Sequence, residues 1–297
     1  MKLINKITLL FTVVVASGIF IFAAANPDEV KDLKRESVSI FPVLMDFAGE
    51  ETPLKISDVK ERLDRELLVN VNLHASTILA IKRANRAFPV IEPILKKNGI
   101  PDDFKYLAVI ESGLVNVVSP AGARGVWQFM PETAKERKME VNENVDERYD
   151  LEKSTEAACS YLLSAKGKFG SWTLAAASYN GGMTGVNKQI DIQKVSNYYD
   201  LLLTEETSRY VFRILALKEI MKNPVKYGFS IASKDLYVTL PTKKIEIDSS
   251  ITDLADFAKS QGINYKILKI HNPWLRETKL INDTGKKYQI EIPLNGY

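Results

Sequence analysis

From Ser57 to Lys222 apolar residues recur every three to four positions, and segments that alternate every second residue first occur at Leu236. A period near 3.6 marks helices that bury one face, whereas a period of two marks half-buried strands. Helices first and strands last restrict the chain to a mainly α body followed by a small module with a sheet. Ser57 and Asp58 cap a first helix that continues through Leu67 and Leu68. Further helices are expected over residues 75–84, 88–97, 154–169, 172–179 and 205–222, the last stopped by Asn223-Pro224. Pro131 stands at the first turn of another, with Glu132 behind it on an outward face. Strands are expected over 236–240, 244–247 and 288–292, with helical pattern over 254–260 and 265–270 between the last two. No internal repeat or low-complexity tract interrupts this order.

Glu111 breaks the apolar pattern. Phe104, Leu107, Ala108 and Glu111 fall at the i, i+3, i+4, i+7 spacing of one face, in a helix opened by Pro101, Asp102 and Asp103 and closed by Gly113. The other side, with Tyr106, Val109 and Ile110, is apolar too, so the helix is expected to be buried nearly all round. A carboxylate there is poorly solvated and lies at the negative end of the helix dipole. Both effects favour the protonated form and raise its pKa, and a carboxyl protonated near neutral pH suits a general acid. The competing reading is an ordinary ion pair with a nearby base such as Arg124.

The 297-residue chain begins Met1-Lys2-Leu3-Ile4-Asn5-Lys6, runs without charge from Ile7 to Ala25 and closes that run with three alanines. A basic start, an apolar stretch and a small-residue finish describe a secretory signal peptide over residues 1–25. The apolar run of ~20 residues leaves an uncleaved membrane anchor as the alternative; the alanine triplet favours cleavage. Residues 26–56 are mixed and interrupted by prolines, an arm or linker. The single cysteine, Cys159, has no partner, so stability has to come from a core or from association. Without Lys2 and Lys6 the net charge falls from +3 to +1, and the scattered charges give no nucleic-acid footprint. His74 and His271 lack ligand spacing, so neither a metal site nor a cofactor is expected.

Four clusters carry the chemistry. They are Glu111-Ser112-Gly113, the loop from Ser119 to Ala134 with Gly122, Gly125, Trp127, Gln128 and Met130, then Ser178-Tyr179-Asn180-Gly181-Gly182, and Glu206-Thr207-Ser208-Arg209-Tyr210-Val211. Singly, each has an ordinary structural explanation: glycines turn, Trp127, Phe129 and Met130 fill cores, Asn180-Gly181 ends a helix. Together they suit a sugar cleft. Flat apolar side chains support pyranose faces, the Gln128 amide bridges ring substituents, and the Tyr179 hydroxyl bonds a carboxyl or N-acetyl group. Glycines let the backbone approach an extended ligand.

Glu111-Ser112, then Ser119-Pro120, then Gly125-Val126-Trp127-Gln128-Phe129-Met130-Pro131 with Thr133-Ala134, then Tyr179-Asn180-Gly181-Gly182 resembles the soluble-lytic-transglycosylase-type catalytic domain. The chain is most similar to the membrane-bound D branch of the lytic murein transglycosylases, over residues 89–225 with a helical lead-in from 59 to 100. The resemblance implies a goose-lysozyme-like, mainly α domain over 57–235, peptidoglycan glycan strands as substrate, and a periplasmic or outer-membrane-associated location. It implies Glu111 as catalytic acid, Ser119 near the muramic N-acetyl group, Gln128 and Met130 in the cleft wall, Tyr179 and Asn180 beside the acid, and Tyr210 as the tyrosine of the family's late Thr-x-x-Tyr-Val signature, a substrate-binding residue. Ser178 in place of a common Ala and Trp127 in place of a frequent Met depart from the pattern.

The implied reaction uses one carboxyl. Glu111 protonates the bond between N-acetylmuramic acid and N-acetylglucosamine, then takes the proton of the muramic C6 hydroxyl, giving a 1,6-anhydro end. Ordinary glycoside hydrolysis instead pairs two carboxyls about 5–10 Å apart. No second acid lies within the Ser119–Met130 or Ala176–Gly182 clusters, although Asp146 or Asp150 could fold inward. A hydrolytic muramidase of the same fold and a non-catalytic wall-binding protein are the rivals. Residues 240–297 resemble a LysM glycan-binding module, a β-α-α-β unit with Asn272-Pro273-Trp274 but with Asp248-Ser249-Ser250 where Gly-Asp-Thr is usual. Glycan binding and a structural cap are both consistent with it.

Overall fold

The computed structural model describes residues 41–295, so the expected signal peptide and residues 26–40 of the arm lie outside the described residues. Among the described residues are ten α-helices and four short strands, the latter in two antiparallel pairs. None of these helices is long and apolar enough to cross a membrane.

The first pair, β1 (Asp46–Phe47) and β2 (Glu50–Glu51), is a hairpin tied into the helical body. Phe47 is fully buried and meets Phe104 edge-on, with ring centroids 5.0 Å apart. The hairpin residue Glu50 reaches the start of a distant helix, as described below. The end of the expected arm is thus part of the domain core.

Helix α1 (Ser57–Asn72) buries Val59, Leu63, Glu66 and Leu67 against α8 (Glu205–Lys222). Buried Glu66 is matched there by Arg209, whose Nε lies 2.7 Å from Oε1. Helix α2 (His74–Lys97) corrects one expectation. Residues 75–84 and 88–97 do not form two helices; Pro89 and Pro93 lie inside a single one. Its stripe of Thr77, Ala80, Ala84, Ala87, Ile91 and Leu95 runs unbroken past both prolines, which face solvent. Packing of that stripe outweighs the two backbone donors that the prolines remove.

A 3-10 turn at Asp102–Phe104 leads into α3 (Lys105–Ser112), closed by Gly113 with φ 61°. Buried Asp103 anchors this entry: it accepts from Lys218 Nζ of α8 at 2.6 Å and from Ala48 N at 2.7 Å. An irregular stretch follows, broken by α4 (Pro131–Glu136), whose Glu132 is exposed as its position predicted. Helix α5 (Leu151–Phe169) starts three residues before the expected Ser154, because Asp150 caps it by accepting from Lys153 N at 2.9 Å. Then come α6 (Trp172–Gly181) and α7 (Met183–Gln193). The last buries Val186 alone, too weak an apolar face to be legible in the sequence. Helix α8 spans the bounds expected of it and is capped by Thr204.

Residues 236–240 are not a strand. Their backbone bonds to α2 instead, with Tyr237 N donating to Lys82 O and Asn85 Nδ2 to Tyr237 O. Alternation without an available edge has nothing to pair with, and a helix surface takes the donors.

Strands β3 (Thr242–Ile247) and β4 (Tyr288–Pro293) pair antiparallel with Ile245 opposite Ile290, enclosing α9 (Leu254–Ser260) and α10 (Tyr265–His271). Their core of Leu254, Ala258, Leu268, Trp274, Tyr288 and Ile290 takes in Val145 of the helical body. Residues 42 to 295 form one compact unit.

Candidate active site

Glu111 occupies the last turn of α3. The flanking Tyr106, Leu107, Ala108, Val109 and Ile110 are all buried, as the two-sided apolar pattern requires, while Glu111 itself keeps partial exposure. Two cations hold the C-terminal carbonyls of this helix, Arg83 Nη1 on Gly113 O at 3.2 Å and Arg213 Nη2 on Ile110 O at 3.1 Å.

Helix α8 supplies the rest of the acid's surroundings. The Tyr210 hydroxyl, itself buried, donates to Glu111 Oε1. Burial pushes the Glu111 pKa up to about 7; the Tyr210 bond and the Arg213 charge oppose that rise, and the Glu206 charge adds to it. Glu206, Tyr210 and Arg213 sit at i, i+4 and i+7, so one face of α8 addresses the carboxyl. The competing ion pair with Arg124 does not form: Arg124 Nη1 lies 3.5 Å from Asp146 Oδ2.

Tyr179 and Asn180 come from the C-terminal half of α6. The Glu111 charge also raises the Tyr179 pKa, secondary to burial, which brings both residues into one electrostatic site. The Tyr179 hydroxyl, expected to meet substrate, donates to Trp127 O at 2.8 Å. Asn180 bridges to α8: Nδ2 donates to Glu206 Oε1, and Oδ1 accepts from Thr207 Oγ1, each at 2.8 Å. The start of α6 is capped from the hairpin, where Glu50 accepts from Ser171 Oγ, Trp172 N, Thr173 N and Thr173 Oγ1 at 2.6–2.8 Å. An anion suits that positive helix end.

The loop from Val117 to Met130 forms the neighbouring wall. Arg124 and Phe129 exchange both backbone bonds at 3.1 Å, and Ser112 Oγ ties the loop to α3 through Val126 O at 2.8 Å. Gln128 sits at φ 50°, and its amide nitrogen serves Gly125 O at 2.7 Å and Val117 O at 3.1 Å, so the wall uses this side chain to hold its own turn. Ser119, at the other end, accepts from Ala123 N at 3.0 Å. Met130 is 42% exposed, whereas Trp127 and Phe129 are buried; the Trp127 indole donates to Thr155 Oγ1 at 2.8 Å. Of the three apolar candidates for a sugar platform, Met130 alone presents surface. Ser178 is fully buried, its hydroxyl on Ala175 O.

Asp146 and Asp150 do not turn toward Glu111. Asp146 is buried in a two-bond pair with Arg148, at 2.9 and 2.7 Å, and Asp150 caps α5. Arg213, Glu50 and Arg148 were not singled out in the sequence. Each is a common surface residue type whose role depends on a partner far away in the chain.

Residues 88–202 match the family model of the transglycosylase SLT domain, and residues 243–296 match that of the soluble lytic transglycosylase C-terminal LysM-like domain. Membrane-bound lytic murein transglycosylase D of Escherichia coli K12, and its counterpart in E. coli O6:H1 strain CFT073, are each 30% identical over 251 residues, covering 82% of this chain. The match takes in 54% of each relative, so the chain spans about half the length of these curated proteins. The Glu111 helix, the glycine-containing wall and the Tyr179-Asn180 turn all fall inside the first matched segment, while Tyr210 lies beyond it. The chain thus carries a transglycosylase SLT domain of lysozyme-like fold joined to a LysM-like C-terminal domain of the soluble lytic transglycosylase type.

Proposed function

We propose that this protein is a lytic transglycosylase of peptidoglycan, with Glu111 as its single general acid and base. The observation that carries the reading is the Glu111 carboxyl, raised to about 7 by burial and gripped at one oxygen by the Tyr210 hydroxyl. With Oε1 engaged, Oε2 carries the proton and delivers it to the oxygen of the N-acetylmuramic acid to N-acetylglucosamine bond. The carboxylate left behind, favoured by Tyr210 and Arg213, then takes the proton of the muramic C6 hydroxyl as that oxygen attacks C1. No water enters, and the product ends in a 1,6-anhydro ring. Such a substrate lies in the cell envelope, and the reading therefore requires export. Ser119, Gln128, Met130, Tyr179 and Asn180 are assigned to the cleft that receives the strand.

One feature favours hydrolysis as the second reading. Glu206, one turn before Tyr210 on α8, is exposed and acts electrostatically on Glu111. A hydrolytic muramidase would use it to position water. Its bond from Asn180 supports a binding role instead.

Digestion of purified peptidoglycan, with mass spectrometry of the released muropeptides, separates these readings. Anhydromuramic ends, lighter by one water than reducing ends, are expected from the parent and from Glu206→Gln, and are expected to form about 10²–10⁴-fold more slowly in Glu111→Gln. Reducing ends that require Glu206 would establish the muramidase. Absence of any product, with retained binding, would leave a wall-binding protein.

A further inference from the structure

The LysM-like domain is not a free appendage. Its core closes around Val145, which bridges to Leu275, and three backbone or near-backbone bonds fix the same segment: Asp146 N to Trp274 O at 2.9 Å, Arg276 N to Asn144 O at 2.8 Å, and Ile281 N to Asn144 Oδ1 at 3.3 Å. Side chains add to this. Lys286 Nζ reaches Glu140 at 2.6 Å and Glu147 at 2.9 Å, the Tyr288 hydroxyl donates to Glu140 Oε2 at 3.0 Å, and the Arg276 guanidinium lies 4.1 Å from the centre of the Tyr149 ring.

The other side of that segment bears on the cleft wall. Arg148 is buried; Nε and Nη2 hold Asp146, while Nη1 donates to Phe129 O at 3.1 Å and Gly122 O at 3.4 Å. Asn116 Nδ2 donates to Tyr149 O at 3.1 Å. The contact at Gly125 is so close that a Cβ there would stand 1.8 Å from Arg148 O. This segment is packed and charge-paired against both neighbours at once, the contiguous kind of contact through which coupling can travel.

We propose that the LysM-like domain shapes the glycan cleft from behind, clamping residues 140–150, and that Arg148 is the positioning residue that passes this constraint to the wall bearing Gln128 and Met130. The functional part of the proposal rests on the reading that this cleft receives the glycan strand. The domain then contributes to turnover of short soluble strands, for which capture of insoluble wall is irrelevant.

Lys286→Met with Arg276→Ala removes contacts at the junction without entering either core, and Arg148→Lys keeps the charge beside Asp146 while losing the fork. Amide hydrogen exchange in the full chain is expected to accelerate about tenfold over residues 117–130 in the double variant, with α3 and α8 unchanged. On soluble glycan oligomers both variants are expected to raise KM about three- to tenfold, at unchanged kcat and an unchanged alkaline limb. A loss of folded protein alone would lower apparent kcat instead. Faster exchange confined to residues 140–150, with unaltered KM, would overturn the proposal. Exchange reads the coupling even if the parent turns over no glycan, so the proposal and the assigned activity fail separately. Should Arg148→Lys not fold, the surface pair still decides.

Discussion

The hydroxyl of Tyr210 donates to the carboxyl of Glu111 across 99 residues of sequence, joining the end of a short buried helix to the second turn of a long one. Burial lifts the acid and the tyrosine restrains the lift, so the group titrates near 7, where it can both give and take a proton. A carboxyl in that position also has consequences for stability, since its ionised form is poorly solvated.

Replacing Glu111 by Gln is expected to lower turnover about 10²–10⁴-fold while leaving the fold intact. The same change stabilises the protein in base. The folded pKa of Glu111, about 7, lies above its ordinary value of 4.5, so ionisation penalises the folded state as pH rises through that window and not below it. Urea melts are expected to show the variant about 1–3 kcal/mol more stable than the parent at pH 8 and equal to it at pH 4.

The groups of α8 are expected to set where activity falls off. In its proposed role of general acid Glu111 works in its protonated form, so the rate is expected to decline as pH rises through about 7. Tyr210→Phe and Arg213→Met each remove a partner of the ionised form and are expected to move this limb upward by about half to one pH unit. Glu206→Gln removes a like charge and moves it downward. Tyr210→Phe should also lose about 10–100-fold in kcat, because the carboxyl is no longer held in place. Initial rates on soluble strands between pH 5 and 9 measure all three.

Glu50 links the hairpin to the helix that carries Tyr179 and Asn180. Burial alone would raise its pKa, but the donors from Ser171, Trp172 and Thr173 outweigh burial and hold it below the ordinary 4.5. Its stabilisation is therefore present above 4.5 and lost as pH falls through the lowered folded value. Glu50→Gln is expected to destabilise by about 1.5–3 kcal/mol at pH 7, with the gap closing in acid; thermal melts at both ends of the range read it.

Gly125→Ala is expected to be the most damaging glycine change in the wall. It combines φ 84° with a Cβ placed 1.8 Å from a backbone oxygen that cannot swing away. A loss of about 3 kcal/mol or more follows, against about 1–2 kcal/mol for Gly122→Ala, where φ is 89° but no atom lies within 4 Å of the Cβ. Chemical denaturation of the two variants side by side tests the difference.

Periodicity and local punctuation were enough to locate most helices, because burying an amphipathic face and capping its ends are decided within a few turns of chain. Helix α8 ends at the Asn223-Pro224 stop that its sequence indicates, and Gly113 and Gly170 close α3 and α5 in the left-handed conformation. The anomaly of an acid on an all-apolar helix singled out Glu111 for the same reason: its cost is visible locally. Where local signals met competing tertiary forces, they misled. The prolines of α2 did not break it, since its buried stripe continues past them, and residues 236–240 found no strand edge to join.

What tunes and supports the site was decided only by the tertiary structure. Arg213 and Tyr210 approach Glu111, Glu50 caps a helix more than a hundred residues on, and Arg148 lies between the loop of residues 117–130 and the terminal domain. The side chains named for substrate also divide there, with Met130 open to solvent and Gln128 and Tyr179 bonded to backbone carbonyls. A charge or a hydroxyl in the chain has many potential partners, and only the packing of apolar faces selects one, because it fixes which distant groups share the same small volume.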